Sequence, residues 1–134
     1  MNQTTRNLVQ VFEAQASRRG DATAMTFKRG GTWQKVSWKE MARRARDAAD
    51  GLASLGVKPG DRISIVADTC CEWIIADLAI MSVGAITVPI YQSNPAHEVQ
   101  YILHDAGASW SSWTTATRRP RSASRRPSCR TCAA

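Results

Sequence analysis

Residues 63–90, ISIVADTCCEWIIADLAIMSVGAITVPI, decide the fold. Ile63 to Ala67 is a short apolar run of the kind that forms a buried strand. Thr69 stands three residues before Glu72, the spacing of a capping box, in which each side chain satisfies a free backbone amide of the other. A helix is expected from there to about Val83. Trp73, Ile74, Ile75, Leu78, Ile80 and Met81 make it apolar on most sides, so other elements must cover it. Gly84 stops it, and Ala85 to Ile90 is a second strand, with Pro89 bringing it to a close. Strand, helix and strand joined by short connections make a βαβ unit, with parallel strands and a right-handed crossover.

Upstream, Ser37 and Glu40 have capping-box spacing, and Met41, Ala45, Ala48, Leu52 and Leu55 form one helical stripe that Gly56 ends. Its alanines predict close packing on a sheet. Thr23 to Arg29 alternates, with Met25 and Phe27 on one face; Gly30-Gly31 supplies a two-residue turn and Thr32 to Val36 returns as a hairpin. From Asn7 to Arg19, Leu8, Val9, Phe12 and Ala16 recur at helical spacing, with Asn7 as cap and Gly20 as stop. Downstream, Asn94 is expected to cap a helix with Pro95 at its first position; Val99, Ile102 and Leu103 give its apolar side and Gly107 closes it. The order is α-β-β-α-β-α-β-α, and one more strand is required for the last helix to return to the sheet.

In place of such a strand the chain has residues 110–134, WSSWTTATRRPRSASRRPSCRTCAA, without a Leu, Ile, Val, Met or Phe. By composition this is a disordered tail. Residues 1–109 are almost neutral, with 12 basic against 11 acidic residues, so the net charge of +7 comes from six tail arginines. The genetic code offers a cause. With TCN codons for Ser111 and Ser112, reading from the third base of the Trp110 codon gives GTC, NTC, NTG and GAC. These encode Val, then Val, Ile, Leu or Phe, then Val, Leu or Met, then Asp: the text of a buried strand. A frame change close to Ser109 is therefore expected. The rival reading is a genuine basic arm for nucleic acid or acidic surfaces, with Trp110 and Trp113 for stacking.

The patterns Glu72-Trp73, Asp77-Leu78-Ala79 and Ser93-Asn94-Pro95-Ala96 resemble the long-chain acyl-CoA synthetases of the adenylate-forming superfamily. Val36-Ser37-Trp38-Lys39-Glu40-Met41 is similar to that family's first core motif, and Met81 through Ile90 to its second. Tyr91 and the Asn-Pro-Ala run favour fatty-acid ligases over peptide-synthetase domains. The likeness spans nearly all of residues 7–109. It implies an α/β fold: residues 1–109 as the incomplete opening of the N-terminal, AMP-binding domain, and residues 110–134 as the tail. It also implies a fatty-acid–CoA ligase using ATP, Mg2+ and CoA in the cytoplasm, with peripheral membrane contact and without nucleic acid. The family's Ser/Thr/Gly-rich phosphate loop, ribose-binding aspartate and catalytic lysine would all lie downstream. The motifs present are scaffold, so no catalytic, cofactor-binding or metal residue is assigned and the 134-residue chain is expected to be inactive.

Other polar residues read more plainly. Cys70 and Cys71 are expected as buried, reduced thiols in a helix, and Cys129-x-x-Cys132 lacks the second pair of a zinc site. His97 and His104 fit a solvated surface better than a ligand pair. Asp77 invites a buried acid, but a hydrogen bond explains it better. Arg43, Arg44 and Arg46 read as a solvated helix face. No apolar run reaches the roughly 18–20 residues of a membrane-spanning helix, and the first residues lack a basic-then-apolar leader.

Overall fold

The computed structural model describes residues 7–108 and 110–113. Helix α1 (Leu8–Arg19) leads into the hairpin β1 (Thr23–Arg29) and β2 (Thr32–Ser37). Next in the chain are helix α2 (Trp38–Ser54), strand β3 (Arg62–Val66), helix α3 (Cys71–Ser82), strand β4 (Ile86–Ile90), helix α4 (Ala96–Asp105) and strand β5 (Trp110–Trp113). The hairpin is a separate antiparallel sheet; the other three strands form a parallel sheet in the order β4-β3-β5.

The expected βαβ unit is present: Arg62 pairs with Ile86 and Val66 with Ile90, in parallel. Ile63 and Ile65 join Val57, Ile80 and Ala85 in an apolar cluster, which puts one face of β3 against α3. Ser64 and Val66 point the other way and are buried too. The right-handed rule for parallel crossovers puts α4 on that second face, because the chain moves from β4 back past β3 to β5. Arg62 Nε ties the sheet to the end of α4 by donating to the Gly107 carbonyl at 3.1 Å.

Helix α3 is covered on both sides, as its composition demands. Cys71, Ile75 and Leu78 meet Phe12 and Ala16 of α1, Met41, Ala42 and Ala45 of α2, and Val36 of the hairpin. On the other side Ile80, with Trp73 and Ala76, meets the sheet. The alanine stripe of α2 therefore packs on helices α1 and α3 rather than on a sheet. Small side chains allow that close approach, and α3 occupies the place between α2 and the strands. Leu55, expected in the stripe, is 64% exposed because it is the residue that caps the end of α2.

Three further expectations change. The capping box at Thr69 does not form: Cys70 is the N-cap and makes no side-chain cap bond, while Glu72 is held by Arg29 of the hairpin. At α2 only half the box forms, Ser37 Oγ accepting from the Glu40 amide at 3.2 Å, since the Glu40 carboxylate is drawn to Arg43 and Arg44. Helix α4 begins one residue late, with Pro95 in extended backbone as its N-cap and Asn94 in a turn with Tyr91.

The fourth change is the largest. Trp110 to Trp113, expected at the head of a disordered tail, runs parallel to β3, from Ile63↔Trp110 to Val66↔Trp113. Backbone pairing depends little on side-chain identity, and the topology leaves the β3 edge open where the chain emerges from α4. The required strand is thus supplied by the residues directly after Ser109. The rest of the expected tail, residues 114–134, lies outside the described residues.

Gly84 shows how tightly the βαβ unit is closed. Its φ is 77° and a Cβ there would stand 3.2 Å from Pro59 Cβ, while its carbonyl accepts from the Gly60 amide at 2.9 Å. Gly84→Ala is expected to destabilise the fold by more than about 1 kcal/mol in urea unfolding; an unchanged midpoint would contradict the strain.

Candidate functional site

In an open parallel sheet, ligands bind outside the carboxyl ends of the strands where the winding reverses. Here that point lies between β3 and β5, since the chain leaves β3 for β4 on one side and returns to β5 on the other. After β3, Ala67 is buried and Asp68 and Thr69 are exposed; after β4, Tyr91 is exposed and Asn94 half-buried. Helix α3 begins at this end, and its first turn carries Glu72.

The chemistry of these groups is limited. Burial raises the Cys71 thiol above its ordinary value, and the Glu72 charge raises it further, so it is a poor nucleophile. Burial also pushes the Glu72 carboxyl up, but its own backbone amide, Arg29 and the Cys70 thiol together hold it below the usual range. It is therefore an ionised structural carboxylate, linking α3 to the hairpin, where the Arg29 guanidinium stands 5.5 Å from the Phe27 ring centre. No group of three or more metal-ligating side chains exists among the described residues. Among them, no glycine-rich loop faces the strand ends, because Gly30 and Gly31 form the hairpin turn with φ of 58° and 83°.

The residues weighed from sequence are scattered. His97 and His104 are both exposed on α4. Asp77 is half-buried on α3, and the hydrogen bond expected of its side chain is not found among the described residues. Cys70 and Cys71 are free thiols, but only Cys71 is buried in the helix; Cys70 is half-buried, because as the N-cap it stands at the open end of α3. Cys129 and Cys132 lie outside the described residues, as does the arginine-rich segment. Arg43, Arg44 and Arg46 form the solvated face expected of them: Arg43 bonds Glu40 and Asp47 at 2.8 and 2.6 Å, Arg44 bonds Glu40 at 2.7 Å, and Arg46 reaches Glu13 at 3.3 Å. The sequence reading missed a shallow depression of about 180 Å3 between α1 and α2, lined by Ala16, Ser17, Gly20, Lys39, Ala42 and Arg46. Its residues come from two helices whose angle no sequence pattern specifies.

Comparison with known proteins gives this geometry a context. The model of a family described as AMP-binding enzyme matches residues 12–126. Long-chain-fatty-acid–CoA ligase FadD15 of Mycobacterium bovis is 44% identical over 100 residues, which are 73% of this chain and 16% of the relative. Long-chain-fatty-acid–CoA ligase ACSBG1 of Bos taurus is 34% identical over 107 residues, 80% of this chain and 15% of that one. Among solved structures, the N-terminal subdomain of NpsA from Klebsiella oxytoca superimposes with a TM-score of 0.76 at 25% identity, over 89% of this chain and 30% of its own. The chain thus spans about a sixth of the length of these curated relatives.

The strongest ionic constellation is the one around Glu40. Hydrogen bonds from Arg43 and Arg44 lower its carboxyl from 4.5 to about 2. A group lowered on folding stabilises above its unfolded value and loses that contribution as pH falls through its folded one. The Glu40 contribution should therefore be whole above pH 4.5 and fade toward pH 2. Glu40→Gln is expected to flatten the decline of the thermal midpoint across that window, most clearly at low salt; identical profiles for both proteins would contradict it.

Proposed function

This chain belongs to the AMP-binding enzymes, and from that membership we propose that it is the opening of the large N-terminal domain of a long-chain fatty-acid–CoA ligase. The observation that carries the reading is the 44% identity to a ligase of that name, across the βαβ unit and both core motifs. In the proposed reaction a fatty carboxylate attacks the α-phosphate of ATP, giving an acyl-adenylate and pyrophosphate; the CoA thiol then displaces AMP. Mg2+ would neutralise phosphate charge. The proposed setting is the cytoplasm, with peripheral contact to a membrane.

The described residues do not fit a nucleotide or its metal. They bring no phosphate-cradling loop, lysine or paired carboxylates to the strand ends, so no step is assigned to them. Their part is framework: β3 and β4 hold a face and an edge on which further elements can build. We accordingly propose that the 134-residue polypeptide has no ligase activity by itself. ATP–pyrophosphate exchange with palmitate is expected to stay at the blank, and measurable exchange would overturn this.

The same reading includes a frame change close to Ser109. What supports it is the loss of every large aliphatic side chain where the fold places a strand of the parallel sheet. The family match continues to residue 126, past that point, so the coding DNA is the proper test. Sequencing through codons 105–134 and several hundred bases beyond should reveal the strand-coding text one base over, continuing into a Ser/Thr/Gly-rich phosphate loop. An in-register gene without that continuation would contradict the proposal.

A further inference from the structure

One face of the hairpin packs on no other element among the described residues. Its register pairs Met25 with Val36 and Phe27 with Gln34, and the first three of these pack on the core cluster that contains α3. The alternate pairs, Thr26 with Lys35 and Lys28 with Trp33, therefore point outward, and all four residues are exposed. Trp33 is 67% exposed, and the Lys28 ammonium lies 6.0 Å from its ring centre. No acidic residue occurs from Thr23 to Ser37. The nearby Arg29 is held by Glu72, so the face itself presents Lys28, Lys35 and one indole.

We propose that this outer hairpin face docks on an anionic lipid bilayer. An exposed indole has an apolar body and a polar N–H, and settles in the headgroup layer. Lysine stems lie along the same layer while their ammonium groups reach lipid phosphates. The Gly30-Gly31 turn gives the ribbon a narrow tip without side chains to hold the indole away from the surface. Lysine and threonine can also contact base edges, so nucleic acid is the rival occupant that the test below separates. One indole and two lysines make a reversible anchor, sensitive to salt. The inference rests on the peripheral membrane contact proposed above and names the surface that makes it; the vesicle test leaves the ligase reading itself untouched.

The test is co-sedimentation of the 134-residue chain with phosphatidylcholine vesicles, with and without phosphatidylglycerol, at low salt. The comparison protein carries Trp33→Ser, Lys28→Glu and Lys35→Glu, all at exposed positions; its thermal midpoint is checked against the parent. Residues 110–134 are the same in both, so any binding by their arginines cancels. The parent should partition onto anionic vesicles at least about tenfold better than the variant. If the triple variant fails to fold, Lys28→Gln with Lys35→Gln keeps the indole and should still lose several-fold. Equal partitioning of parent and folded variant overturns the proposal. So does a loss confined to binding of a DNA duplex, which would assign the face to nucleic acid.

Discussion

Helix α3 can be stable only if it is enclosed, and the rest of the structure is arranged around that constraint. Its two apolar sides draw in different partners: α1, α2 and the hairpin through Cys71, Ile75 and Leu78, and the parallel sheet through Ile80. Burying one such side chain contributes about 1.5–3 kcal/mol. A solvent-exposed ion pair such as Arg29–Glu72 contributes about 1 kcal/mol or less. The apolar enclosure therefore sets the layering, and the ion pairs adjust its surface.

The same arrangement supports the proposal that this segment is framework. Among the described residues, the side chains weighed for chemistry are either bound in structure or left in water. Glu72 is bound to Arg29 and Glu40 to Arg43 and Arg44. Cys71 is sealed under α2, and both histidines stand in solvent on α4. The crevice at the strand ends has the right topology for a ligand, and among the described residues Asp68, Thr69, Tyr91, Gln92 and Ser93 are exposed in the loops that follow β3 and β4.

Most of the fold was legible because each element carries a period and a stop. The run from Ile63 to Ile90 specified parallel strands about a buried helix, and the Gly30-Gly31 turn specified the hairpin. Helix starts were less legible, because a cap depends on what else can claim the side chain. Thr69 and Glu72 have the spacing of a capping box, yet Arg29, distant in sequence, takes the carboxylate. Strand β5 was hidden for another reason. Composition at Trp110-Ser111-Ser112-Trp113 speaks against a buried strand, whereas the open edge of β3 demands one, and backbone pairing obeys the edge. As for the site, the expectation of no catalytic residue rested on the family resemblance, while the depression between α1 and α2 depends on an interhelical geometry that no local pattern encodes.

Native-state hydrogen exchange, resolved by residue, tests the enclosure of α3 most directly. Amides between Ile75 and Ile80 should be the slowest in the chain, opening only with global unfolding. Those of α4, which has no buried residue, should exchange well before them. Protection in α3 no greater than in α4 would contradict the account, because the helix would then not be what the surrounding layers are built to cover.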